Sequence, residues 1–262
     1  MAQENISRRQ AVLAGSAACA AFALSQPAAA SSASADLDPD ITEMTERMLR
    51  VEGRGKSLSP LMKYCALLAA TTAAGTPADA GLVAAKALAA GISPIAVKEA
   101  VYHCAAYVGI GRVKAVLPAV NEAMAAAGVK LPLESQKTVT DENRFEKGLA
   151  VQTQIFGDAI AQMHKNAQPE DRGIVVDDLS GWCFGDFYTR SGLDLQCREL
   201  VTFVAIAALG GCEPQLASHC AGNLAVGNTR QNLLDAIHIA VPYLGFPRTL
   251  NAVAVVKKNA AR

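Results

Sequence analysis

The sequence has few aromatic residues, no net charge and no convincing strand pattern. Aromatic side chains make up 5% of the chain, and 24 basic residues balance 24 acidic ones. Because no basic block occurs, nucleic acid is excluded as an expected partner. The missing strand signals and the abundant alanine favour close-packed helices over a sandwich of sheets, so we expect an all-α fold.

The N-terminus predicts export. Arg8-Arg9 precede an apolar run over residues 11–24, and small residues follow it. These features are typical of a twin-arginine signal peptide over residues 1–30, cleaved after Ala30 or Ala35. The run is too short for a comfortable membrane span. We therefore expect a periplasmic protein with no stable membrane insertion after signal removal.

The cysteines do not predict a disulfide framework. The chain has 7 of them, without the regular spacing of a small disulfide-rich domain. Cys212 and Cys220 cannot pair along one helix, because eight residues separate them by roughly 12 Å and a bridge tolerates roughly 7 Å. Most of the others lie in apolar runs, where a packing role is expected.

Three consecutive helices are predicted between Cys197 and Arg248. The first, over residues 198–209, is apolar on almost every side and should be buried. The second begins near Pro214 and ends at Gly227, and the third ends at the Pro242-Tyr243 kink.

One face of this segment carries candidate catalytic residues. Gln215 and His219 lie four residues apart on the second helix, and Cys212 lies just before its first turn on the same side. Histidine suits proton transfer because its ordinary pKa is near 6.5. A cysteine beside a helix N-terminus is favoured as a thiolate. No second histidine or carboxylate stands at ligand spacing from His219, so we predict no metal and no cofactor.

The chain also contains an internal repeat. A shift of 136 residues places Ser93–Arg112 on Thr229–Arg248, with matching alanine, tyrosine, glycine and arginine positions. We therefore predict two related helical units, over residues 57–130 and 142–258.

The two predicted units differ in the polar face of one helix. Cys212, Gln215 and His219 of the second unit fall on Thr76, Asp79 and Val83 of the first. The candidate site is thus expected in the second unit alone, and the first is degenerate.

Several motifs follow one another in the second half. They are Arg144-Phe145 with Gly148, Phe184 to Arg190, Gly192-Leu193-Asp194, Arg198, Leu216 to His219, Gly227, and Tyr243 with Gly245-Phe246-Pro247. Together they resemble the carboxymuconolactone decarboxylase family, an all-helical superfamily that also contains the AhpD-type alkylhydroperoxidases. The first half resembles the same helical core more weakly. The resemblance implies two AhpD-like units and, because family members form rings, a homotrimer with pseudo-sixfold arrangement.

Two chemistries occur in that family. The peroxidase type has a Cys-x-x-Cys motif, a following histidine and an upstream glutamate; Cys212, His219 and Glu199 resemble these, but Gln215 replaces the second cysteine. The decarboxylase type has no cysteine pair and keeps the histidine after a Glu/Gln-Leu segment, which Gln215-Leu216 resembles. We favour the decarboxylase type, acting on a small carboxylated lactone or a related acid.

This hypothesis makes His219 the proton-transfer residue, with Glu199 and Cys212 as further candidate catalytic residues. Arg190 and Arg198 are candidates for holding a substrate carboxylate, and Gln215 and Tyr243 for orienting the substrate.

Two further functions are compatible with the same residues. The chain could be an AhpD-like thiol-dependent peroxidase or reductase that uses Cys212, or a non-catalytic periplasmic protein that binds small acids. Individual residues also have purely structural interpretations, with His219 as a core histidine and Arg198 as an ion-pair partner of Glu199 or Asp194.

Overall fold

The computed structural model describes residues 37–50 and 53–260, so the predicted signal peptide lies outside the described residues. The chain divides into a short unit, Met1–Pro39, and a main unit, Asp40–Arg262. Within the described ranges the fold is all-α with no strand, which confirms the predicted fold class. The site lies in the main unit.

Helices cover most of the described chain. They are α1 (Pro39–Leu49), α2 (Pro60–Ala74), α3 (Pro77–Ala89), α4 (Pro94–His103), α5 (Ala105–Val108), α6 (Ile110–Ala126), α7 (Arg144–Phe156), α8 (Ala159–Asn166), α9 (Leu195–Leu209), α10 (Glu213–Ala225) and α11 (Arg230–Asn259). A π-helix, Gly173–Tyr188, lies between α8 and α9. Long π-helices are uncommon and occur often at functional sites.

Side-chain caps explain where several helices begin. Ser59 and Ser93 accept hydrogen bonds from backbone N–H groups of α2 and α4, and each is followed by a proline at the first helical position. Asp194 caps α9 in the same way, and Thr229 forms a capping box with Asn232 at the start of α11. Each cap satisfies backbone donors that the first helical turn leaves unpaired.

α9 lies at the centre of the main unit. It packs against α2, α10 and α11, and every residue from Cys197 to Ala208 is buried. The predicted apolar helix is therefore confirmed, but it also buries Arg198, Glu199 and Thr202. Because buried polar groups are costly without partners, the surroundings of α9 must supply them.

One helix boundary differs from the prediction. The third predicted helix does not end at Pro242-Tyr243; α11 turns at Gly245, where φ is 69°, and continues to Asn259. Gly157, with φ of 61°, likewise separates α7 from α8. Both breaks use glycine because it reaches positive φ without a Cβ clash. By length and composition α11 alone among the described helices could cross a membrane, yet it packs against α2, α9 and α10.

Corresponding helices of the two halves begin 135 or 136 residues apart. α2, α3 and α4 begin at residues 60, 77 and 94, and α9, α10 and α11 begin at residues 195, 213 and 230. Glycines with positive φ recur in the same register, as Gly75 and Gly211, Gly91 and Gly227, and Gly109 and Gly245. α7 and α8 have no counterpart among the described residues of the first half.

Candidate active site

α9 and α10 bring Glu199 and His219 together. Nδ1 of His219 lies 2.9 Å from Oε2 of Glu199. Gly222, almost one turn after His219, makes room for this contact, since a Cβ there would lie 2.5 Å from the same carboxylate oxygen. Nδ2 of Asn223 donates to the backbone carbonyls of both Glu199 and His219, which fixes the two helices at this level.

Two tyrosines extend the pair toward the first half of the chain. The hydroxyl of Tyr188 donates to Oε1 of Glu199 at 2.6 Å and lies 2.9 Å from the hydroxyl of Tyr107. The Tyr107 ring meets the His219 ring edge-on, with 5.5 Å between centroids. Burial and the negative charge of Glu199 raise the pKa of Tyr188 well above its ordinary value, so Tyr188 keeps the proton that it donates.

The hydrogen bonds continue from Tyr188 into an arginine cluster. Oγ1 of Thr202 lies 2.9 Å from the Tyr188 hydroxyl and 3.0 Å from Nε2 of His103. Nδ1 of His103 lies 3.3 Å from Nη1 of Arg198, whose Nη2 donates to Glu99. Burial and then the charge of Arg198 lower the pKa of His103 well below its ordinary value, so its imidazole is neutral.

A pocket of about 760 Å³ lies beside His219. Its walls are mainly apolar, with four aromatic side chains: Tyr107, Phe156, Trp182 and Phe184. Besides the Tyr107 hydroxyl and the Trp182 indole N–H, the groups that can make polar contacts are Gln152, Asp178, Cys183, Cys212, Gln215, Ser218 and His219. No lysine or arginine of the described chain lines it. Pockets of this kind, apolar with a few convergent polar groups, are typical of small-molecule sites.

The three predicted catalytic residues all lie at this pocket. Cys212 and His219 line it. Glu199 lies behind His219, fully buried, whereas His219 is 8% exposed. Gln215 lines the pocket as well, so the predicted face of α10 is the face that borders the cavity.

The other predicted substrate-binding residues, Arg190, Arg198 and Tyr243, lie elsewhere. Arg190 donates from Nε and Nη2 to Glu99 at 2.9 and 2.7 Å. Arg198 is 0% exposed and binds the same carboxylate, not Glu199 or Asp194 as the sequence suggested. Tyr243 buries its hydroxyl without a hydrogen-bond partner among the described residues. This corrects the expectation of an arginine in the pocket: both guanidinium groups are held by one buried carboxylate.

The thiols at the pocket differ in their surroundings. Cys212 occupies the N-cap position of α10, with its Sγ 3.5 Å from the carbonyl oxygen of Gly210. Cys183 lines the same pocket, and burial raises its pKa to about 12, which keeps it protonated near neutral pH. All six described cysteines are free thiols. Within residues 37–50 and 53–260 no cluster of three metal-binding side chains occurs.

Sequence reasoning missed several members of the buried network. Tyr188 lies in the motif from Phe184 to Arg190 but was assigned no role, and Glu99 and His103 were assigned none either. A signal was present in the repeat: His103 and Thr202 fall on Ile239 and Ala66, both apolar. Where one half has a polar residue and the corresponding position of the other half has an apolar one, helix packing does not require the polar side chain. Such a difference indicates another role for the polar residue.

Comparison with known proteins gives a family match over part of the chain. Residues 175–258 match the carboxymuconolactone decarboxylase family. The match lies in the second half of the chain and covers less than half of its length. Glu199, Cys212 and His219 all lie inside the matched residues, whereas Tyr107, which completes the wall of the pocket, lies outside them.

Two relatives are decarboxylases by name. The chain is 28% identical over 124 residues to the 4-carboxymuconolactone decarboxylase of Acinetobacter baylyi, which covers 46% of this chain and 89% of the relative. It is 27% identical over 116 residues to the nitrosuccinic acid decarboxylase npaB of Metarhizium robertsii, covering 44% of this chain and 80% of the relative. Both relatives support a decarboxylase-like function.

Proposed function

We propose that the chain is a decarboxylase acting on a small carboxylated lactone or a related acid, with His219 as the proton-transfer residue. The observation that carries the proposal is the His219–Glu199 pair at the wall of a largely apolar pocket. With Nδ1 donating to Glu199, Nε2 is the ring nitrogen left for a substrate. The hydrogen bond to Glu199 fixes the orientation of the imidazole, and histidine is a common proton donor in catalysis.

The proposed reaction balances with no further reactant than a proton. The bond between the substrate carbon and its carboxylate breaks, and CO₂ leaves. The electron pair stays on the substrate, delocalised into its carbonyl group. Nε2 of His219 then gives a proton to the carbon, and the imidazole recovers a proton from solvent.

The lining of the pocket supports loss of CO₂. A carboxylate placed there meets no lysine or arginine among the described residues, so its compact charge is poorly stabilised. In the transition state the negative charge spreads over the substrate. An apolar site destabilises this dispersed charge less than it destabilises the compact charge of a carboxylate. Gln215 and Tyr107 line the pocket and can orient the substrate by hydrogen bonds.

A second candidate is a thiol-dependent peroxidase or reductase. It is favoured by one observation, the presence of Cys212 in the same pocket as His219. Gln215 stands where a two-cysteine relay would have its second thiol, and the raised pKa of Cys183 makes that residue a poor thiolate. We therefore place this candidate second, and a non-catalytic small-acid binding protein third.

Matched variants separate these candidates. In assays with a panel of carboxylated lactones, we expect His219→Ala to lower turnover roughly 10²–10⁴-fold. Cys212→Ser should cost less than about tenfold, since the reaction needs no thiolate. The control is His238→Ala, an exposed histidine outside the pocket.

The opposite ranking supports the thiol enzyme. If Cys212→Ser is inactive with an organic hydroperoxide and a dithiol while His219→Ala still turns over, decarboxylation is not the function. If the unaltered protein turns over nothing and His219→Ala changes only its affinity for the acids, the protein is a binding protein.

We further propose the tandem organisation, with units over residues 57–130 and 142–258. The shared register of helices and positive-φ glycines supports it. Export by the twin-arginine route to the periplasm is part of the same proposal. Replacing Arg8 and Arg9 by lysine should leave the protein unprocessed in the cytoplasm, and periplasmic processing of that variant would contradict it.

We also propose that copies of the chain assemble into a homotrimer. Phe246 and Leu250 are 69% and 61% exposed, and Ile110, at the position corresponding to Phe246, is 48% exposed. Apolar side chains of this size on a surface favour burial against a partner. Analytical ultracentrifugation at micromolar concentration should give a trimer, and a clean monomer would overturn this part.

A further inference from the structure

A second cleft lies away from the His219 pocket. It has a volume of about 510 Å³ and is lined by residues of α4, by Asn121 of α6, by the segment 131–136 and by Arg190. The proposed decarboxylation uses none of its lining residues.

The inner wall of this cleft carries more positive than negative charge. Arg190 and Arg198 both bind Glu99, which is 2% exposed, and Lys98 lies next to it in the sequence. Glu134 also lines the cleft, but it is exposed and forms no ion pair within the described chain. Lys98 and Arg190 therefore line the cleft beside a carboxylate that is already shared between two guanidinium groups. An anion in the cleft would compensate this partly buried positive charge.

Hydrogen-bond donors remain available at the same wall. Lys98 is 7% exposed and donates to Oδ1 of Asn121, which leaves two ammonium hydrogens and the Asn121 amide hydrogens. Arg190 uses Nε and Nη2 for Glu99, and its Nη1 has no acceptor in the described chain. Burial lowers the pKa of Lys98, and an anion bound beside it would favour its ammonium form.

Apolar side chains line the cleft around these donors. Ile95, Leu131 and Leu133 contribute to its walls, together with the ring of Tyr102. A bare inorganic anion would bind the cations but leave these walls in contact with water. An organic acid with an apolar body would cover them and gain the free energy of burial.

We propose that this cleft binds a small carboxylic acid anion, with its carboxylate on Lys98 and Arg190 and its apolar body against Ile95, Leu131 and Leu133. Lysine and arginine both form charge-assisted hydrogen bonds with carboxylates. Gly192 allows the site to form, because a Cβ there would lie 2.5 Å from the Glu99 side chain that holds Arg190 in place.

Isothermal titration calorimetry with cyclohexanecarboxylate tests the proposal. We expect Lys98→Met to weaken binding at least about tenfold through loss of one charge-assisted hydrogen bond. Lys98→Arg should keep the affinity within about threefold, since a positive charge and a charge-assisted hydrogen bond to the carboxylate remain. Lys86→Met removes an exposed lysine of α3 outside the cleft and should change nothing.

Two more titrations distinguish binding in this cleft from binding in the His219 pocket and from general anion binding. His219→Ala should leave the binding intact; if it abolishes binding while Lys98→Met does not, the acid occupies the His219 pocket and the proposal is wrong. Inorganic phosphate at equal ionic strength should not compete, and equal binding of phosphate would overturn the ligand class.

A replacement variant covers the case in which Lys98→Met does not fold, as judged by circular dichroism. Leu133→Glu then takes its place. It adds a negative charge, of the same sign as the ligand's carboxylate, to a half-exposed wall of the cleft. It should also weaken binding at least about tenfold. Unchanged affinity in that variant would overturn the proposal.

Discussion

The two halves of the chain share a helical frame but differ in the polar groups buried within it. α9 buries Arg198, Glu199 and Thr202 where α2 has Met62, Lys63 and Ala66. α10 carries His219 where α3 carries Val83, which is buried. The same helical frame therefore accepts either an apolar or a polar interior. A polar interior needs partners for most of its groups, because an unpaired buried polar group costs about 1–3 kcal/mol.

Each half also contributes a tyrosine to the interior, with opposite results. Tyr107 of the first half bonds to Tyr188 and borders the His219 pocket. Tyr243, at the corresponding position of the second half, has a buried hydroxyl with no partner among the described residues. A tyrosine at the same repeat position therefore borders the candidate site in the first half and only packs in the interior in the second half.

The largest expected effect comes from giving α9 the residue that α2 already has. Arg198→Met breaks the buried pair with Glu99 and should lower the free energy of unfolding by about 3–5 kcal/mol. Met62→Leu, the matched change in α2, should cost less than about 1.5 kcal/mol. Urea unfolding measures both, and a cost for Arg198→Met as small as that for Met62→Leu would show that the arginine cluster contributes little.

The next effect concerns Gly222, which corresponds to Lys86 of the first half. Because a Cβ at residue 222 would crowd Oε2 of Glu199, Gly222→Ala should displace the His219–Glu199 pair and lower turnover about 10–100-fold. Lys86→Ala should leave turnover within about twofold. The measurement is kcat beside a melting curve, so that misplacement is distinguished from unfolding; unchanged kcat would mean that the pair tolerates the shift.

A smaller effect depends on pH. The pKa of His103 is depressed in the folded state, so between that value and about 6.5 only the unfolded chain takes up the proton, and stability falls as pH falls. His103→Ile introduces the residue found at the corresponding position, Ile239. Between pH 7.5 and 5.5 we expect the variant to lose about 1.4 kcal/mol less unfolding free energy than the unaltered protein. Equal losses in urea titrations at the two pH values would show that His103 does not titrate in this way.

The smallest effect should follow removal of the unpartnered hydroxyl. Tyr243→Phe should change the free energy of unfolding by no more than about 0.5 kcal/mol, or stabilise the protein, because no hydrogen bond is lost. Tyr107→Phe removes the bond to Tyr188 and should cost about 1–2 kcal/mol. Thermal or urea unfolding of the two variants side by side tests the difference, and a larger cost for Tyr243→Phe would reverse it.

Local chemistry made much of this molecule predictable. The helices follow from apolar periodicity, serine and threonine caps and glycine stops, all of which act within a few residues. The face shared by Gln215 and His219 follows from helical geometry alone. The sequence predicts the end of the third helix at Pro242-Tyr243 and not at Gly245, because proline is a stronger helix-breaking signal in sequence than a single glycine.

The partners of the buried polar groups depended on tertiary structure. The all-α fold and the candidate face of α10 follow from the sequence alone, since both rest on contacts three or four residues apart. Only the folded chain decided that Arg198 binds Glu99, and that His103, Thr202 and Tyr188 link this pair to Glu199 and His219. The Arg198–Glu99 and His103–Thr202 contacts each join residues 99 positions apart in the sequence. Several charged groups near in sequence could have paired with Arg198 or with Glu99. The packing of α4 against α9 determines which pair forms.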